Sequence, residues 1–300
     1  MKPPPAKSAL DGDLTVTKTA EVANEILNEI QRSRGGDTVT EDESRYRVIV
    51  GRPNVEGARD WTGDVIGPPS VYPLDSVCVV AAGNTLVVLD KLNRELWRST
   101  LSFRLAERFS AWEGGSSSFG AGPCVERGRS LYVFDQAVLT AFDLATGNVR
   151  WRLPSVGVQG LFFDAKGMMY VNTTTAKPEN IKYSRQIDVD QKIRPVILKL
   201  DPQTGRIHWT AQPGGLVAYV SGPYVYTLES YRDPNEGVEN PYAIGIEIPS
   251  HVLINRLDPD DGQVLWQHYQ KRAPLDVQFD GNTIQIVFRK EVQVLRFYSF

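Results

Sequence analysis

One phrase, repeated along the chain, limits what this sequence can fold into more than any other feature. "AFDLATGNVRW" at 141–151 returns as "KLDPQTGRIHW" at 199–209 and "RLDPDDGQVLW" at 256–266. The closing tryptophans, Trp151, Trp209 and Trp266, stand 58 and 57 residues apart. A shorter copy without the glycine, "VLDKLNRELW", ends at Trp97, 54 residues before Trp151. Self-similarity at a period of about 50 residues marks an array of small units that bury their faces against one another.

Each copy reads as a hairpin. A β-rich run ends in Asp90, Asp143, Asp201 or Asp258, whose carboxylate can accept backbone N–H groups and start a turn. Gly147, Gly205 and Gly262 then supply a residue free to take positive φ, as a glycine bulge after a type I turn requires. A second strand follows and carries the tryptophan, which suits burial between neighbouring units. Two further strand signals precede the phrase: "PCVE" and "SLYVFD", then "GLFFD" and "GMMYVN", then "LVAYV" and "YVYTLES". Four strands in each repeat of about 50 residues make a propeller blade, so the chain is expected to be all-β.

The phrase resembles the tryptophan-docking motif of the quinoprotein-alcohol-dehydrogenase-like propellers, built of PQQ-like repeats, which runs Ala-x-Asp-x-x-Thr-Gly-x-x-x-Trp. Ala141, Asp143, Thr146, Gly147 and Trp151 match every specified position. The next copy keeps Asp201, Thr204, Gly205 and Trp209 with Lys199 for the alanine, and the last keeps Asp258, Gly262 and Trp266 with Asp261 for the threonine. The resemblance covers residues 75–300 and implies a β-propeller of the non-enzymatic branch. It also implies a periplasmic or otherwise exported protein, with a cytoplasmic one left open. The family's enzymes hold pyrroloquinoline quinone beside calcium and stack it on a disulfide between adjacent cysteines. This chain has no Cys-Cys pair, so no cofactor is carried over. Cys78 and Cys124 are expected as two buried free thiols, with a disulfide as the alternative.

Units ending at Trp97, Trp151, Trp209 and Trp266 make four blades. Three more strands follow in "PLDVQFD", "NTIQIVF" and "VQVLRFYSF", and "YRVIV" at 46–50 is a spare strand signal with nothing local to pair with. Residues 46–50 are therefore expected to pair with 291–299 and close a fifth blade, giving a propeller over 45–300. Residues 1–44 form an extension. Its proline-rich start is expected to be disordered. Val22, Ile26, Leu27 and Ile30 put one apolar face at helical period in 19–33, with Thr19 as N-cap and Gly35 and Gly36 as the stop.

A formal net charge of −3 and a pI near 5.7 argue against a nucleic-acid partner, which needs clustered Lys and Arg. Apolar runs such as "VCVVAA" are far below the roughly 18 residues of a membrane span. No apolar signal-peptide core follows "MKPPPAKSALDGD", so the chain is cytoplasmic or its numbering begins after a removed export signal. The elaborated segments are three: 106–122 between a fourth and a first strand, and 173–193 and 231–250 between second and third strands. In a blade these connections share one end. They bear Trp112, Tyr183, Arg185, Asp188, Asp190, Arg232, Asp233, Glu236 and Tyr242, read as a face for a protein or glycan partner rather than a mere cover for the ring.

Catalytic and metal-ligating sets do not emerge. "DVD" at 188–190 lacks the spaced ligands of a calcium loop, and His208, His251 and His268 are not spaced as ligands on one element. Asn172 opens a glycosylation pattern in "NTTT". The alternative function is a carbohydrate-active enzyme with paired carboxylates. Its candidate acids, on or beside the first strands, are Glu126, Asp164, Asp276 and Asp280. A quinone-dependent dehydrogenase is the third reading.

Overall fold

A computed structural model describes residues 14–20, 45–103, 105, 123–135, 137–177, 181–182, 186–187, 194–231, 251–272 and 274–297 of the 300. Every regular element among them is a β-strand. The chain divides into two compact units. The first unit holds three antiparallel sheets. They are β1 (Thr15–Ala20), β2 (Arg45–Gly51) and β3 (Trp61–Ile66); β4 (Pro69–Pro73), β5 (Cys78–Ala82), β6 (Thr85–Leu89) and β7 (Glu95–Thr100); and β8 (Cys124–Arg127), β9 (Ser130–Phe134), β10 (Val138–Asp143) and β11 (Val149–Pro154). The second unit begins with β12 (Gly160–Phe163) and β13 (Met169–Thr174). A two-residue pair follows, β14 (Ile181–Lys182) with β15 (Gln186–Ile187), and then β16 (Pro195–Leu200) and β17 (Ile207–Ala211). It continues with β18 (Leu216–Ser221), β19 (Tyr224–Tyr231), β20 (His251–Leu257) and β21 (Val264–Gln270), and ends with β22 (Asp276–Asp280), β23 (Thr283–Val287) and β24 (Val292–Arg296). Each four-stranded sheet is a meander in chain order, as the repeat requires.

The repeated phrase spans the third and fourth strands of a sheet. The turn of the best copy is held by Asp143, whose Oδ1 accepts from the backbone N–H of Ala145 and Thr146 and from the Thr146 hydroxyl. Arg150 donates to Oδ2 at 2.6 Å and, with those bonds, brings the partly buried Asp143 carboxyl down to about 2. Gly147 takes φ 73° and donates back to the Asp143 carbonyl. Where a copy departs from the pattern, a substitute does the same job. The motif threonines Thr146 and Thr204 accept from the N–H groups of Asn148 and Arg206, and Asp261, in threonine's place, accepts from that of Gln263. In the copy without glycine, Asn93 takes the left-handed conformation itself, at φ 60°. Asparagine tolerates that region better than other side chains do.

Trp97, Trp151, Trp209 and Trp266 are each the third residue of a fourth strand, opposite Val88, Ala141, Lys199 and Arg256, just before a register bulge. Within each unit the ring joins one sheet to the next. Trp97 Nε1 donates to the Leu144 carbonyl, and a Cβ added at Gly147 would lie 2.5 Å from its ring. Trp209 does the same with the Pro259 carbonyl and Gly262. So the motif glycine serves twice: it supplies the turn conformation, and it leaves room for the preceding sheet's indole. Apolar clusters fill the spaces between successive sheets of each unit, and Val79, Val88, Leu131 and Phe142 form one such core.

Four expectations change. Residues 46–50 lie in β2, which has β1 on one side and β3 on the other, and so do not pair with 291–299. The described residues form six sheets of three or four strands rather than five, because β1 to β3 make a sheet of their own. The missed partner, "WTGDVI", reads poorly as a strand because of its glycine and aspartate. Gly63 is needed there, since a Cβ would sit 2.3 Å from the Trp61 ring. Thr19 and Ala20, expected to start a helix, end strand β1, and residues 21–33 lie outside the described set. The extension 1–44 thus contributes a strand to the first sheet. Cys78 and Cys124 are both buried free thiols, and burial pushes Cys78 up to about 11 despite the nearby Arg52.

Candidate functional site

The docking contacts fix which end of the second unit's sheets carries elaboration. Lys199, near the end of β16, and Trp209 both donate to the Pro259 carbonyl in the turn after β20. Adjacent sheets therefore keep their third-to-fourth turns at one end, and their second-to-third connections leave from the other. Those are the connections that hold 175–194, between β13 and β16, and 232–250, between β19 and β20.

The roots of both connections are braced. The Thr173 and Thr174 hydroxyls donate to the Val156 carbonyl, and the Ser155 hydroxyl donates to that of Thr173. Thr175 and Arg194 close the stem: the Thr175 N–H donates to the Arg194 carbonyl, and the Arg194 N–H to the Thr175 hydroxyl. Asn172, in the glycosylation pattern, is fully buried, and its amide donates to the Val217 carbonyl while accepting from the Val217 N–H. That side chain ties the sheet to its neighbour and offers no surface for a glycan. The other root pairs Tyr231 with His251, and the buried His251 ring stacks on Tyr269 at 5.5 Å.

Beside these roots lies a carboxylate that sequence reasoning passed over. Glu229 on β19 is half-buried and has no hydrogen-bonding or ionic partner among the described residues. Burial raises its pKa. It is screened by the segment that joins β17 to β18. The buried Asn255 amide donates to the Pro213 and Gly214 carbonyls and holds that segment against the sheet. Gly214 and Gly215 have φ of 82° and 76°, and a Cβ at Gly215 would come within 2.6 Å of the Leu228 carbonyl. The signal in the sequence was the Gly-Gly pair, which allows backbone to lie directly on backbone.

In the first unit the corresponding end is organised by Asp135, between β9 and β10. Its carboxylate is buried and accepts the N–H groups of Ala137, Val138 and Phe103. Burial raises its pKa against those three bonds. Leu105 bridges to the same residue, so the connection 106–122 leaves from a fixed stem.

Residues 106–122, 178–180, 183–185, 188–193 and 232–250 lie outside the described set, and with them Trp112, Tyr183, Arg185, Asp188, Asp190, Arg232, Asp233, Glu236 and Tyr242. The acids considered for catalysis are placed more fully. Glu126 accepts from the N–H and hydroxyl of Ser76. Asp164 is buried 3.9 Å from the Lys199 ammonium, with the Tyr170 hydroxyl at 3.5 Å. Asp276 and Asp280 are exposed, and Asp276 bonds its neighbours Val277 and Gln278. No group of three or more His, Cys, Asp and Glu among the described residues is placed to hold a metal. No described helix is long and apolar enough to cross a membrane.

The family model described as outer membrane protein assembly factor BamB matches residues 47–161 and 82–274, together more than half of the chain. No curated protein matches it. Among solved structures the chain is similar to BamB from Moraxella catarrhalis, at 13% identity over 84% of this chain and 70% of that one, with a TM-score of 0.43. It is similar to Hsv2 from Kluyveromyces lactis at 13% identity, over 86% and 72%, with a TM-score of 0.41. A europium-containing methanol dehydrogenase matches at 12% identity, over 75% of this chain and 47% of the enzyme, with a TM-score of 0.40.

Proposed function

The chain belongs to the PQQ-like repeat family described as outer membrane protein assembly factor BamB, and on that premise we propose that it is a non-catalytic binding or scaffold propeller of the cell envelope. It presents segments 106–122, 173–193 and 231–250 to a protein partner. The observation that carries this reading is the bracing of the connection roots. The stem Thr173–Thr175 with Arg194 and the Tyr231–His251 pair are ordered platforms from which long polar segments leave. A rigid scaffold with variable connections at one end is the usual arrangement of a recognition surface. Tyr, Trp and Arg on those segments, among them Trp112, Tyr183, Arg185 and Arg232, are the side chains that dominate protein interfaces. The carbohydrate-enzyme reading is weakened because Glu126 and Asp164 are engaged by Ser76 and Lys199.

The test replaces residues 178–193, and in a second variant 232–250, by short Gly-Ser linkers in the full chain. Both variants should melt as the parent does, since the roots lie outside the exchanged residues. Both should lose the protein that cross-links to the parent in envelopes of the source cell. Cross-linking to that same protein at the parental level by both variants would remove the loops from the interface and sink the reading.

A further inference from the structure

One row of side chains is seated in one sheet and left unseated in the next. Across β13, β16 and β17 the row is Tyr170, Lys199, Trp209. Lys199 and Trp209 both donate to the Pro259 carbonyl of the following sheet, and the Tyr170 hydroxyl reaches Asp164. Across β19, β20 and β21 the matching row is Tyr226, Arg256, Trp266. Here the Tyr226 hydroxyl and Arg256 Nε are buried without a hydrogen-bond partner among the described residues, and the Tyr226 ring is fully buried. The guanidinium lies over the Tyr224 and Phe297 rings, and Trp266, half-buried, meets Phe297 edge-on at 4.7 Å. The difference lies in the sheet that follows. Its strands are β22, β23 and β24, and no fourth strand, with its preceding turn, stands beside β24 among the described residues.

The open edge of β24 has defined chemistry. Phe297 N–H donates to the Asn282 carbonyl and Phe288 N–H to that of Glu291, so by antiparallel alternation residues 291, 293, 295 and 297 face β23. The N–H groups of Val292, Val294 and Arg296 therefore point away from the sheet. At the end of β24 farther from Trp266 the exposed cations Lys271, Arg272, Arg289 and Lys290 gather, with Arg272 lying over Phe288 and paired with Glu291.

We propose that β24 is a strand-addition site for a partner protein. A turn of the partner places a backbone carbonyl on Arg256 and Trp266, its following strand pairs antiparallel to β24, and an acidic end meets Arg289 and Lys290. The chemistry of the turn is copied from Pro259 and Gly262, which do this for Lys199 and Trp209. The acidic end complements the cations, three of which have no carboxylate paired with them among the described residues. Arg289 and Lys290 stand in a second-to-third connection, at the end from which 175–194 and 232–250 also leave, but changes on β24 leave those segments intact, so the failure of this proposal and that of the proposed function are distinguishable.

The experiment uses the full chain and a fluorescein-labelled peptide of residues 258–270 extended by two glutamates, a turn and strand that suit a PQQ-like sheet. Fluorescence anisotropy should show saturable binding. Val294→Pro removes an outward N–H and leaves the β23 ladder intact, so it should weaken binding by about tenfold or more with the melting temperature kept. Val294→Ala, which keeps the N–H, should bind nearly as the parent does. Amidating the peptide's carboxyl end and replacing the glutamates by glutamine should weaken it as well. Absence of binding, or equal binding by Val294→Pro, overturns the proposal. So does slow hydrogen exchange at Val292, Val294 and Arg296 in the peptide-free chain, because the edge would then already be paired.

Discussion

At the residue scale, Glu229 and Asp143 are opposite cases of one rule. Asp143 receives an Arg150 guanidinium and backbone N–H groups, so its folded pKa is depressed to about 2. Its contribution is present above the unfolded carboxylate range and is lost as pH falls towards 2. Glu229 is raised by burial, so the folded state binds its proton more tightly than the unfolded state does. Its effect has the other sign: stability falls as pH rises from the unfolded value, about 4.3, through the raised one. Glu229→Gln cannot ionise and should therefore gain on the parent across that interval, reaching a constant advantage at neutral pH. Urea melts at pH 4 and pH 7 check this, and a difference between variant and parent that does not change with pH would show that Glu229 is solvated or paired.

At the scale of the element, the hairpin was legible because its parts are local. An aspartate before a turn, a glycine at positive φ and a tryptophan on the return strand each follow from the chain's own stereochemistry. The substitutes were harder to read: Asn93 for glycine and Asp261 for threonine show the role only once backbone angles and bonds are known. The site was less legible than the hairpin. Asn172, Asn255 and Asp135 look like ordinary polar residues in or beside strands, and only burial reveals that each holds a neighbouring segment in place. The glycine of the motif gives the sharpest test. Gly147→Ala puts a Cβ where Trp97 lies and asks alanine to adopt φ 73°, which should cost about 1–3 kcal/mol. Trp97→Ala removes the ring and its bond to the Leu144 carbonyl, at about 3–5 kcal/mol. The double variant should cost clearly less than the sum, since without the indole the added Cβ has room. Additive costs in chemical denaturation would mean that the ring and the glycine do not meet.

At the scale of the whole molecule, residues 46–50 read as a spare strand because neither of their partners reads as one. Trp61–Ile66 contains Gly63 and Asp64, and Thr15–Ala20 lies beyond a proline-rich start. Yet β2 is central in its sheet, with Val48 and Val50 fully buried beneath Trp61 and the β5 strand of the next sheet. That places a boundary within the first 20 residues. Deleting 1–13 removes nothing that pairs with β2, and the melting temperature should hold. Deleting 1–20 removes all six register pairs of β1 and leaves the β2 edge bare, next to an apolar cluster. An uncovered edge recruits other chains, so this variant should melt lower and elute as larger species in size-exclusion chromatography. If both truncations melt and elute alike, β1 adds nothing to the first sheet, and the cover of β2 comes from elsewhere in the chain.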